Sequence, residues 1–141
     1  MPQKLGWNPN VDARERGHFA LGALTTGTKS IYIDCNGIDR LSVQLIWDNT
    51  LTATTKVFAS DSFIPDPRDS QNSNAAPIRA GAFTDITSRV TKTTDPAGAP
   101  GNQEIDVGFV SQSFIRIDIT QSAGSANNLD GYVSGKTLGG F

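Results

Sequence analysis

Between Ser113 and Lys136 the chain alternates so regularly that few folds can accommodate it. Ile115, Ile117 and Ile119 fall on one side of an extended segment and Arg116, Asp118 and Thr120 on the other, because strand side chains alternate with a period of two. A polar run of small residues, Gln121–Asn128, leads to a second strand-like stretch, Leu129–Lys136. Read locally, the pair is a hairpin with a long loop. Two strands alone are marginal in water, so a second sheet has to cover the isoleucines. The expected fold is all-β: a two-sheet antiparallel β-sandwich, jelly-roll-like, of about eight strands.

The rest of the chain agrees with that expectation. Ser30–Asp34 alternates with Ile31 and Ile33 inward, and Asn36-Gly37 after it has the composition of a type I′ turn. Asp39–Trp47 is the longest clean alternation, with Leu41, Val43, Leu45 and Trp47 on one face and Arg40, Ser42, Gln44 and Ile46 on the other. Ala53–Ser60 returns with Val57 and Ala59 inward and Phe58 outward, and Phe19–Thr25, Phe83–Val90 and Gln103–Val107 complete the set. Thr94–Gly101 is rich in turn formers and reads as a flexible loop. Fourteen Gly and seven Pro supply the turns such a fold needs, and no helical period competes.

With 141 residues the chain suits one domain: an N-terminal arm over residues 1–18 and a sandwich over 19–141. The arm carries Pro2, Pro9 and the charged triplet Arg14–Arg16, yet Leu5 and Trp7 are apolar anchors that suit docking on a neighbouring subunit. Asp61–Ala82 holds Pro65, Pro67 and Pro77 and is longer than ordinary connections, which marks it as a contact loop. Candidate partner contacts are therefore Leu5, Trp7, Pro65, Arg68, Asp69 and the terminal Phe141.

The search for chemistry finds little. His18 is the one histidine, and no Gly-x-Ser-x-Gly elbow supplies a nucleophile to go with it, so no catalytic residue and no enzyme activity are expected. Cys35 is the one cysteine: it cannot form an intrachain disulfide, and with a single His a zinc site is excluded. Its apolar neighbours Ile33 and Ile38 suit a small buried thiol. Asp61, Asp66 and Asp69, with Gln71, Asn72 and Asn74, offer the oxygen ligands a hard cation prefers, but not at EF-hand spacing. No metal and no cofactor are expected. Glu15 and Glu104 are the only glutamates, and neither has an evident partner for glycoside hydrolysis. Tyr32, Tyr132 and Phe58 fall on outward faces, where they could stack a sugar. A net charge of −2 argues against nucleic acid as a partner. The opening residues lack the pattern of a secretory signal, and no apolar run is long enough to span a bilayer, so no membrane contact is expected.

The order of segments carries a resemblance. Leu41–Leu45, Phe58–Ser62, Phe83–Thr87, Phe114–Thr120 and the closing Leu129–Lys136, which ends in Gly135-Lys136, resemble the small β-sandwich structural proteins of tailed bacteriophages. The likeness covers residues 30–136 and departs at Asp61-Ser62, where a glycine is usual, and in the proline-rich insertion that follows. It implies a virion component made in the host cytoplasm: a capsid decoration (cement) protein that binds the major capsid protein as a homo-oligomer. A tail, collar or head-fibre accessory, and a carbohydrate- or receptor-binding module, are the alternatives.

Overall fold

The computed structural model describes residues 10–12, 17–64 and 79–137. Leu5, Trp7, Pro65, Arg68, Asp69 and Phe141, and the loop oxygens of Asp66, Asp69, Gln71, Asn72 and Asn74, lie outside them. Ten strands are described: β1 (Asn10–Asp12), β2 (Gly17–Leu24), β3 (Thr28–Asp34), β4 (Arg40–Trp47), β5 (Thr52–Ser60), β6 (Thr84–Asp85), β7 (Thr91–Lys92), β8 (Gly101–Phe109), β9 (Phe114–Ala123) and β10 (Ala126–Lys136), with one 3₁₀ turn at Thr87–Arg89. They form two sheets, in the order β1-β3-β9-β5-β6 and β2-β10-β4-β8-β7. Every pairing is antiparallel except β1 with β3, which is parallel. Asn10–Asp12 and Gly17-His18, within the segment read as an arm, thus belong to the sheets.

The chain changes sheet at nearly every turn. β2, β4, β8 and β10 build one sheet while β3, β5, β6 and β9 build the other, the wrapped topology of a jelly roll. The local hairpin expected at Ser113–Lys136 is therefore absent. β9 lies between β3 and β5, and β10 between β2 and β4, so the two strands face each other across the core instead of pairing. Period-two alternation states which side of a strand is apolar. It does not state whether the next strand lies beside it or opposite it. The intervening polar run is no long loop either: β9 continues to Ala123, β10 begins at Ala126, and Gly124-Ser125 alone makes the corner. Gly124 adopts φ 61°, and a Cβ there would overlap the Thr50 carbonyl. Asn36-Gly37 behaves similarly. Only Gly37 takes a positive φ, and Ile38 N–H donates to Cys35 O at 3.3 Å, so the turn is of type II character and joins strands of different sheets.

The alternations themselves hold. Ile115, Ile117 and Ile119, with Ile31, Ile33, Val57, Val43 and Leu45, are fully or almost fully buried between the sheets. Cys35 is buried, its Sγ 3.6 Å from Ile33 O. Trp47 closes one end of the core and donates its indole N–H to Ala99 O at 2.8 Å. Inward-facing Gly131 in β10 pairs with Phe19 of edge strand β2, whose ring lies flat enough on the backbone that a Cβ at 131 would overlap it. Phe83–Val90, expected as a strand, yields only Thr84-Asp85 before the 3₁₀ turn, because the Asp85 carboxylate accepts the Thr87 N–H at 2.9 Å and bends the chain.

Thr94–Gly101 is pinned, against the expectation of a flexible loop. Pro96 O accepts from Ala53 N–H (3.1 Å), and Gly98 N–H donates to Leu51 O (2.8 Å). Beneath it Asp95 Oδ1 accepts from Thr55 Oγ1 (2.8 Å), Gln103 Nε2 (2.7 Å) and Lys92 Nζ (3.1 Å), and Lys92 also donates to Thr55 O at 2.6 Å. Thr55 and Gln103 are wholly buried and sit on strands of opposite sheets, so Asp95 clasps the two layers together. Burial alone would raise its pKa, but the hydrogen bonds from Thr55, Gln103 and Lys92 and the lysine charge outweigh that and hold it below the ordinary 3.8.

Candidate functional site

A sandwich has two outer faces, and the sequence treats them differently. On the face of the β3-β9-β5 sheet, Arg116 stands in the middle strand. Its guanidinium lies over Phe58 (4.4 Å to the ring centre) and Phe83 (4.7 Å), and its Nε is 3.0 Å from Asp118 Oδ1, close enough for an ion pair but out of line for a hydrogen bond. Tyr32 stacks on Phe63 at 5.0 Å, and Phe63 meets Phe83 and Phe114 edge-on or tilted. Phe63, near the start of the Asp61–Ala82 segment, and Phe83, just after it, bring its ends together, and these ends are also joined by backbone bonds between Ile64 and Arg79 at 2.9 and 3.0 Å and by Ala82 N–H to Ser62 Oγ at 2.8 Å. The described ends of the segment read as a contact loop are thus rooted in a second small core on the outer face of this sheet. Replacing Arg116 by Lys keeps the charge but loses the plane that stacks between two rings. Unfolding in urea should show a loss of about 1 kcal/mol, and an unchanged midpoint would mean the rings pack without it.

The face of the β2-β10-β4-β8 sheet carries no such cover among the described residues. Its outward side chains line up across strands in rungs. One runs His18, Tyr132, Gln44, Glu104; the next is Ser134, Ser42, Asp106; the third brings Lys136 and Arg40 beside Phe109. A bulge at Gly108 (φ 75°) shifts the register and turns Phe109 outward, 74% exposed, with Arg40 5.2 Å from its ring centre. Arg40 also lies 3.7 Å from Asp106. Two adjoining hollows, about 340 and 280 Å³, share Ser42, Glu104 and Ser134. The first extends to Arg40, Asp106 and Lys136, the second to Gln44 and Tyr132. This groove is the candidate site.

The residues singled out from sequence separate cleanly. His18 is exposed on edge strand β2, 3.5 Å from Asp130 and 4.8 Å from the Tyr132 ring, at one end of the first rung. Tyr132 is exposed in the groove, whereas Tyr32 and Phe58 belong to the opposite face and are partly covered, so the three aromatics never share a surface. Asp61 ties strand ends together, accepting from Ser113 N–H at 2.8 Å. Among the described residues no three His, Cys, Asp or Glu side chains cluster to hold a metal ion. No described helix is long and apolar enough to cross a membrane. Ser42, Gln44 and Ser134 were not singled out from sequence. Their signal, alternating uncharged polar residues on strands that carry few charges, becomes a site only once β10, β4 and β8 are known to be neighbours. The sequence matches no protein-family model, and no curated protein matches it.

Proposed function

We propose that the protein is a non-enzymatic structural component of a bacteriophage virion, a capsid decoration protein that binds the major capsid protein as a homo-oligomer. The observation that supports this most is the wrapped two-sheet topology, an architecture used repeatedly for viral capsid and lectin domains. The two closing segments of the phage-like pattern supply β9 and β10, interior strands of both sheets. Fold does not dictate function, so this support is architectural. Self-association has an edge to use: β2 is eight residues long, pairs only with β10 among the described strands, and bears no charged side chain other than His18 if protonated. A symmetric oligomer gripping a lattice at several points gains affinity through multivalency even where each contact is weak.

Purified protein added to capsids lacking it should co-sediment and saturate at a stoichiometry set by the lattice, and it should persist in washed virions by mass spectrometry. Failure on both counts removes the reading. Light scattering of the free protein should give a defined oligomer, and an Ala20→Lys substitution, which puts a charge on the outward face of β2, should shift it towards monomer if that edge is used.

A further inference from the structure

We infer that the groove over β10, β4 and β8 is a binding site for a neutral oligosaccharide, with Tyr132 as the platform on which a sugar ring stacks. The inference goes beyond the virion reading and stands or falls separately from it. Tyr132 is 43% exposed at the centre of a rung, with Gln44 directly across on β4 and His18 on β2. Pyranose rings present a patch of C–H groups on one face and hydroxyls around the rim. An exposed aromatic face ringed by donors and acceptors matches both.

The rim is present and unspent. Ser42, Gln44 and Ser134 are half-buried, and among the described residues no hydrogen bond engages the side chains of Ser42, Gln44, Glu104 or Ser134. The Gln44 amide both donates and accepts, the Glu104 carboxylate can accept from two adjacent hydroxyls, and each serine hydroxyl does either. All four project from paired strands, so their backbone positions are fixed relative to one another before a ligand binds. From Arg40 to Gln44 the groove follows about 13 Å of strand, room for more than one sugar unit.

Charge decides among the possible occupants. Arg40 and Lys136 are offset by Glu104 and Asp106 in the same groove, which leaves no net field to hold a polyanion such as nucleic acid or a sulfated glycan. A protein partner would want an apolar centre depleted of charge, and the centre here is polar. A neutral, hydroxyl-rich ligand brings no charge of its own into the groove and can donate hydroxyls to the Glu104 carboxylate.

The test is an array of neutral, sialylated and sulfated oligosaccharides probed with the intact protein, followed by calorimetric titration of the glycans retained. Neutral glycans should bind, and Tyr132→Ala and Gln44→Ala should each weaken binding at least about tenfold. Tyr132→Phe, which keeps the ring, should stay within about threefold. Lys56→Ala, on the opposite sheet, should bind as the wild type does. Thermal melting confirms that the variants remain folded, and Gln44→Ala carries the test if Tyr132→Ala does not. Retention of no neutral glycan, retention of acidic glycans only, or binding indifferent to both substitutions overturns the inference. Capsid binding should be equal in wild type and Tyr132→Ala; loss of capsid binding by the variant, with no glycan retained, would assign this face to a protein contact and overturn it as well. Glycan binding by a protein that ignores capsids would remove only the virion reading.

Discussion

Gly131→Ala is expected to destabilise the fold by about 3 kcal/mol, a fall of roughly 10 °C in melting temperature. One methyl group has this effect because the space is taken. The Phe19 ring lies against the Gly131 backbone, its own residue only 1% exposed, and a Cβ at 131 would coincide with the ring edge. Phe19 cannot withdraw outward without exposing its ring or inward without displacing core side chains. The aromatic covers a glycine on the neighbouring strand, a pairing that fixes the register of edge strand β2 on β10. Phe19→Ala alone opens a cavity and costs about 3 kcal/mol or more. In the double variant the new methyl moves into space the ring has vacated, so the combined loss should fall well short of the sum. Additive losses in denaturant titrations would mean that Gly131 is needed for some reason other than Phe19.

The second large effect is expected at the clasp between the sheets. Asp95→Ala removes the acceptor shared by the Thr55 hydroxyl, the Gln103 amide and the Lys92 ammonium, two of them on wholly buried residues, and among the described residues leaves Lys92 only Thr55 and Gln103 only Thr93 O to donate to. Lys92 and Asp95 keep 23% and 31% of their side-chain surface, so the full penalty of a buried ion pair does not apply, and about 2–3 kcal/mol is expected. The clasp also predicts a pH dependence. The folded-state pKa of Asp95 lies below its unfolded value, so the unfolded chain takes up the proton first as acid is added. The stabilisation is complete above about pH 4 and is lost as the pH falls through the folded-state pKa. Asp95→Asn keeps an oxygen for Thr55 and Gln103 but not the charge facing Lys92. It should be less stable than the wild type at neutral pH and should flatten the stability–pH slope below about pH 4. Parallel slopes for the two proteins would show that other carboxylates carry the acid response.

The inward faces of β3, β4, β5 and β9 were legible in the sequence, because burial on one side forces alternation: Ile115, Ile117 and Ile119, or Leu41, Val43 and Leu45, can be read off directly. What alternation cannot carry is neighbourhood. β9 and β10 look like a hairpin and are opposite walls of the core. The same blindness hid the clasp, since Thr55, Lys92, Asp95 and Gln103 are polar residues scattered over four segments whose meeting depends on which strands are adjacent. It also hid most of the groove. Tyr132 could be placed outward from its alternation with Gly131 and Val133, and Glu104 was noticed as a carboxylate without a partner, but the rung joining them through Gln44 needed the β10-β4-β8 order. The aromatic group of Tyr32, Phe63, Phe83 and Phe114 escaped for a related reason: its members come from strands and from both ends of one long connection.

The strand order has a consequence for how the protein is made. β9 separates β3 from β5, and β10 separates β2 from β4, so until these two strands arrive only the partial pairings β1-β3, β5-β6 and β4-β8-β7 are available among the described strands and neither sheet is continuous. On the ribosome, residues up to about Gly108 would hold these fragments with β2 unpaired and their apolar faces uncovered, and β9 and β10 would join them into two facing sheets. Such non-local pairing makes folding slow relative to helical domains and delays it until β10 has emerged. A nascent chain stalled before Phe114 should therefore remain protease-sensitive, and one extended past Lys136 and clear of the exit tunnel should become resistant in a single step.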